Sequence, residues 1–97
     1  MPRLVEPPLE VELRRRQGEP ETRVALLGTD LGTGREAFQR LDARLILIAR
    51  KLEQPTGRID AGAWVPHRDV VRCLDSFLLA GADEVAFVGR PPPRGVR

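Results

Sequence analysis

The feature that most constrains the fold is a stripe of large apolar residues in the middle of the chain. Its members recur at spacings of three and four, and they are Phe38, Leu41, Leu45, Ile48 and Leu52. This period places them on one face of an α-helix. We predict the helix over residues 34–53, ended by the Pro55 and Gly57 that follow, with Thr33 and Glu36 at the spacing of a capping box. A helix with one apolar face must pack on a second layer, and 97 residues leave room for one small core.

Two strand-like segments precede this helix. Residues 9–13 alternate apolar and acidic side chains, a pattern typical of a half-buried strand with a covered or guarded edge. Residues 23–27 form a continuous apolar run after Arg23, which predicts a strand buried on both faces. The polar stretch between them contains residues 14–16, all arginine, so we predict a hairpin whose exposed loop carries them. A glycine-rich link over residues 28–34 leads into the helix.

The pattern changes twice more after the helix. Apolar residues first recur at every second position, and Ile59, Ala61, Ala63 and Val65 share one face of a predicted strand, with Trp64 on the other face. A second helix follows, and its predicted apolar stripe is Val70, Val71, Leu74, Phe77 and Leu78. Gly81 occupies the position where helices commonly end in a left-handed residue. Residues 85–88 predict a short buried strand.

The predicted element order is therefore β-β-α-β-α-β. Its last strand, helix and strand form a right-handed crossover between parallel strands. Both helices have one apolar stripe, so the predicted fold class is α+β, a two-layer domain with two helices on one face of a mixed sheet. Residues 1–8 carry three prolines and are predicted as an extended leader, residues 9–89 as the domain, and residues 90–97 as a proline- and arginine-rich tail.

The composition argues against several classes of protein. The longest apolar run, residues 45–49, is far shorter than the ~20 residues of a membrane-spanning helix. Cys73 is the only cysteine and His67 the only histidine, which argues against a disulfide, a thiolate metal site or a histidine triad. Asp69 is expected to stabilise the start of the second helix, and Asp75 is expected to point away from Asp69. The two carboxylates therefore do not form a pair for general acid and base catalysis. We expect no enzymatic activity, no catalytic residue, no cofactor and no metal ligand.

Two alternatives involve binding of polyanions or nucleotides. All but one of the 16 basic residues are arginine, the side chain best suited to phosphate, and a soluble nucleic-acid-binding module would use residues 14–16 and the tail. The basic residues are interleaved with acids, however, whereas a nucleic-acid footprint needs clustered charge. Gly32 and Gly34 mimic part of a dinucleotide fingerprint, but Arg35 and Glu36 replace the Gly-Lys ending of a phosphate loop.

Residues 58–89 resemble the C-terminal half of the periplasmic domain of the ExbD/TolR family. The family has a Val-Pro-Tyr-like step, a helix of the type x-Val-Val-x-x-Met-Asp, an Ala-Gly end and a short apolar strand. The residues that carry the resemblance here are Val65, Pro66, Val70, Val71, Leu74, Asp75, Ala80 and Gly81. His67 stands where the family usually has tyrosine, and Gly62 where it has a turn aspartate.

The resemblance implies a non-enzymatic function at the periplasmic face of the bacterial inner membrane. Proteins of this family work with a ring-forming ExbB/TolQ-like membrane protein and couple the proton gradient to TonB- or TolA-like proteins. Their periplasmic domain forms homodimers and makes protein contacts, with strand addition at a sheet edge as the expected mode. The family's membrane helix, which bears a proton-handling aspartate, is absent from this chain, so the resemblance implies a hydrophobic segment encoded upstream of residue 1.

Overall fold

The computed structural model describes residues 6–89. The predicted tail and the first five residues of the predicted leader lie outside the described residues. The elements are β1 (Leu9–Arg14), β2 (Arg23–Leu26), β3 (Thr29–Thr33), α1 (Gly34–Ala49), β4 (Thr56–Ala61), α2 (His67–Leu79) and β5 (Glu84–Gly89).

The strands form one five-stranded mixed sheet in the order β3-β2-β1-β4-β5. β1 is antiparallel to β2 and parallel to β4, and β4 is parallel to β5. The two helices pack on each other and on the same face of the sheet, which confirms the predicted α+β class. β1 lies at the centre of the sheet, so the prediction that its charges guard an edge was wrong; its acidic residues instead occupy the face that no helix covers.

The core lies between the sheet and the helices. It combines the inward residues of β1 and β2 with the stripe of α1, and its fully buried members include Val11, Leu13, Val24, Leu41, Leu45, Ile59 and Phe77. Every second residue of β1 belongs to it, as the alternating pattern predicts. β2 is buried on one face only, because the opposite face of the sheet has no covering layer.

The strand β3 was missed by the sequence reading. Leu27 and Gly28 have positive φ values of 50° and 85°, and this tight turn folds the glycine-rich link back beside β2. Leu31 is buried and anchors the strand to the core. Asp30 and Gly32 are poor strand formers, so propensity pointed to a loop although the hairpin geometry forms a strand.

Several element boundaries also differ from the prediction. α1 ends at Ala49, and the bond from Lys51 N to Ile48 O (3.1 Å) tightens the chain into a turn before Pro55. β4 ends at Ala61, because a turn closed by Val65 N donating to Gly62 O (3.2 Å) occupies the predicted continuation of the strand. Thr33 is the N-cap of α1 but makes no side-chain capping bond, so the capping box is absent.

The second helix and last strand agree with the predicted order but not with the predicted burial. Gly81 has φ +85° after the helix, as predicted. Within α2, Cys73 and Phe77 are buried, whereas Val71 and Leu78 are exposed, so the real apolar face is rotated from the predicted stripe. β5 was predicted as buried, yet it is an edge strand and most of its residues are exposed.

Candidate interaction surface

The exposed edge of β5 lies beside an apolar surface. Among the described residues 6–89, β5 pairs with β4 alone, so its other side presents backbone N–H and C=O groups to a further strand. Phe87 lies on the helix side of the sheet, opposite Ile59 in the register, and 58% of it is exposed. An exposed aromatic ring beside an unpaired strand edge offers an apolar contact to an added strand.

A groove of about 340 Å³ lies between α2 and the end of β5. Its apolar lining includes Ala61, Val65, Val70, Phe87 and Val88, and His67 is part of its rim. The groove exists because β4 is covered by α2 while the neighbouring β5 has no third helix above it. An added strand therefore finds backbone groups and apolar side chains in the same place.

The eight family-motif residues are divided between this surface and the supporting structure. Val65 and Val70 line the groove, Pro66 is the N-cap of α2, and Leu74 packs against the core. Val71 and Asp75 are exposed on α2. Ala80 is the C-cap of α2, and Gly81 follows it with positive φ, so these two residues shape the turn into β5.

Cys73 and His67 have the positions that the sequence predicts. Cys73 is fully buried on α2, and burial raises the pKa of its thiol to about 12, although the nearby Arg72 guanidinium works in the opposite direction. His67 is the exposed first residue of α2. Among residues 6–89, no group of three acidic, histidine or cysteine side chains is placed to hold a metal ion.

An ion pair between Arg72 and Asp42 joins the two helices. Arg72 on α2 donates to both carboxylate oxygens of Asp42 on α1, with distances of 3.1 and 2.6 Å, and to the hydroxyl of the buried Ser76 at 2.8 Å. The guanidinium also lies 5.5 Å from the centre of the Phe38 ring. Burial works to raise the pKa of Asp42, but the hydrogen bonds and charge of Arg72 outweigh burial and lower it. The ion pair therefore fixes the position of α2, which forms one wall of the groove.

Replacing Asp42 by asparagine is expected to cost about 1–2 kcal/mol of unfolding free energy at pH 7, because Arg72 loses its charged partner. The pKa of Asp42 is lowered in the folded state, so its contribution is present above the unfolded value of 3.8 and is lost as the pH falls through the folded value. Urea unfolding at pH 7 and at pH 2.5 measures both effects. Equal losses at the two pH values would contradict this account.

The glycine-rich link does not form a phosphate cradle. Gly28 belongs to the tight turn, Gly32 to β3 and Gly34 to the first turn of α1. The carboxylate of Glu21 lies against Gly34, where an added Cβ would meet it, and Gly34 N donates to the Thr22 carbonyl at 3.0 Å. An acidic side chain therefore already occupies the place where a phosphate would approach the helix start.

The face of the sheet away from the helices is open and charged. Its arginines are paired across strands: Arg14 with Asp60 at 3.0 Å, Arg23 with Asp30 at 2.6 Å, and Arg58 with Glu10 at 3.7 Å. Arg14 was predicted in an exposed loop, but it lies at the end of β1 and also donates to the Asp60 carbonyl at 2.8 Å. Arg14 is one of the three arginines of the alternative nucleic-acid surface, and here it is paired with Asp60.

Two residue sets on the surface were missed by the sequence reading. Phe87 was predicted in a buried strand, and no prediction concerned the outward residues of α1. In the part of the chain that the structure describes, neither helix is long and apolar enough to span a bilayer.

No protein-family model and no curated protein matches this sequence.

Proposed function

We propose that this chain is the periplasmic domain of an ExbD/TolR-like inner-membrane protein. In this role it couples the proton gradient to TonB- or TolA-type transport or envelope maintenance through protein contacts. Its partners are an ExbB/TolQ-like membrane protein and a TonB- or TolA-like protein, and the anchor is a membrane helix outside this chain. The domain acts without bond-breaking chemistry, cofactor or metal ion, at the periplasmic face of the inner membrane.

The resemblance and the fold support this proposal together. Residues 58–89 form β4, α2 and β5 in the order that the resemblance implies, and the motif residues lie in α2 and in the turns on either side of it. Pro66 precedes the second helix, and Ala80 and Gly81 end it, which is where the family-like pattern requires them. Two helices on one face of a mixed sheet complete the expected arrangement.

The observation that carries the proposal is the open edge of β5 beside the apolar groove. A strand from a partner gains backbone hydrogen bonds from β5, and its alternate apolar side chains enter the groove next to Phe87. This mode of contact needs no catalytic group. It fits a domain that transmits a signal or force by binding other proteins.

Self-association through β5 is part of the proposal. Two antiparallel copies of β5 would extend the sheet from five strands to ten, with each Phe87 covered by the other copy. The contact is small, so we expect a weak homodimer rather than a permanent one.

The Phe87→Lys variant is expected to weaken self-association at least tenfold, because the contact loses apolar burial and gains a charge at the edge. Sedimentation at concentrations up to millimolar measures it, and spectra of β5 amides locate the contact. Leu47→Lys is the matched control, since Leu47 is 59% exposed on α1 and Phe87 58% exposed on β5. A strictly monomeric parent chain, or equal weakening by both variants, would overturn this contact.

The source gene tests the membrane part of the proposal. The proposal requires an upstream hydrophobic segment of about 20 residues with one acidic residue, since an ionisable group in a bilayer is costly and is retained for proton transfer. A neighbouring gene for a multi-span ExbB/TolQ-like protein would support it further. If both are missing, the energy-transduction function is wrong and a stand-alone binding module takes its place.

A further inference from the structure

The outward face of α1 is a continuous cationic surface. The stripe along this face consists of Arg40, Ala43, Arg44, Leu47 and Arg50, and all five are exposed. Their spacings of three and four place them directly opposite the buried stripe of the same helix. Lys51 lies one residue beyond, so the surface extends over about 15 Å of helix axis.

Most of these cations have no partner among the residues that the structure describes. Across residues 6–89, the side chains of Arg44, Arg50 and Lys51 make no hydrogen bond or ion pair. Within the described part of α1, Glu36 is the acidic residue on this face, and it lies 3.6 Å from Arg40, which also donates to the Leu31 carbonyl at 2.9 Å. The contrast with the open face of the sheet is clear, because each arginine there is paired with an acid. The positive charge of α1 is therefore available to an external anion.

An exposed leucine lies in the middle of this charge. Leu47 is 59% exposed, and Arg44 and Arg50 lie three residues away on either side of it in the sequence. A phosphate backbone requires only the cations, whereas a lipid surface offers phosphates and an adjacent apolar layer. A leucine between arginines on a helix surface therefore fits a lipid surface better than a nucleic-acid backbone.

We propose that the outward face of α1 docks on an anionic lipid bilayer. Arg44, Arg50 and Lys51 contact the headgroup phosphates, and Leu47 enters the boundary between headgroups and acyl chains. The helix lies parallel to the membrane plane, with its buried face still packed on the sheet. The inference depends on the charge and exposure of α1, and it remains testable whether or not the chain belongs to an energy-transducing complex.

Vesicle flotation tests the proposal with two lipid compositions, pure phosphatidylcholine and a mixture with phosphatidylglycerol. We expect the 97-residue chain to bind the anionic vesicles only, and added salt to weaken the binding. Each basic residue near such a surface contributes about fivefold in affinity, so Arg44→Gln with Arg50→Gln should weaken binding about 30-fold. The control pair, Arg16→Gln with Arg68→Gln, changes the net charge equally at exposed sites elsewhere and should retain most of the binding.

Fluorescence provides a second readout that charge alone would not change. In a chain with Trp64→Phe and Leu47→Trp, the emission should shift to shorter wavelength on anionic vesicles, because the indole leaves water. Equal losses for the two arginine pairs, or no shift in emission, would overturn the docking surface. Binding of the parent chain to a DNA or RNA duplex but not to vesicles would assign the same surface to nucleic acid instead.

Discussion

Replacing Gly57 by alanine is expected to destabilise the protein by about 2–3 kcal/mol, although alanine is normally a minor change in a strand. Gly57 is buried in β4, and the ring of Phe77 lies directly above it. An added Cβ would meet Phe77 Cε1, Cδ1 and Cγ at 2.5, 2.6 and 2.9 Å. Phe77 is fully buried, so the ring has no free space into which it can move.

Two further variants distinguish this clash from a general effect of alanine. Gly62→Ala is the matched control, since its Cβ would have only ordinary contacts with Arg14 Cδ at 3.5 Å and Leu13 O at 3.6 Å. Phe77→Leu in the Gly57→Ala background removes the ring and should recover part of the lost stability, which a double-mutant cycle by urea unfolding measures. The proposed packing would be wrong if Gly57→Ala and Gly62→Ala unfolded at the same urea concentration.

Alkylation of Cys73 is expected to be at least about 1,000-fold slower in the folded chain than in the unfolded chain. The thiol is fully buried between α2 and the rest of the core, and burial raises its pKa to about 12. The thiolate is the reactive form, so at pH 8 the folded thiol is both inaccessible and almost entirely protonated. Alkylation of Cys73 therefore requires a transient opening of the folded chain.

Iodoacetamide labelling at pH 8, with and without urea, measures this protection. A raised thiol pKa in the folded state also means that the contribution of Cys73 to stability is constant below the unfolded value of 9.0 and is lost as the pH rises above it. Cys73→Ala is the control for the pH effect, because it removes the titrating group. Labelling of the native chain at the unfolded rate would show that α2 does not pack as described.

The parts of the fold that follow from periodicity were predictable. The stripe from Phe38 to Leu52 identified α1, and the alternation along residues 9–13 identified β1 and its buried face. β3 was not predictable in this way, because Leu31 is the single core residue in a segment otherwise made of polar residues and glycine. That strand depends on the turn at Leu27 and Gly28, and its stability comes from pairing with β2.

The candidate surface was harder to predict than the fold. An apolar run over residues 85–88 indicates a strand, but the sequence pattern does not tell whether that strand is central or at an edge. Phe87 is exposed because β5 is the last strand beyond the reach of α2. The cationic face of α1 did leave a signal, since Arg40, Arg44 and Arg50 recur with helical spacing between the buried positions.

The central position of β1 has a mechanical consequence. β1, β4 and β5 run in the same direction, so the start of β1 and the end of β5 lie at opposite ends of the sheet. A tensile force applied between these two points pulls the strands along their length and loads each row of hydrogen bonds together. A force applied across the sheet, through β3 at the other edge, would break the bonds one after another. We therefore expect higher rupture forces between residues 9 and 89 than across the sheet, a difference that single-molecule pulling measures through the rate of forced unfolding.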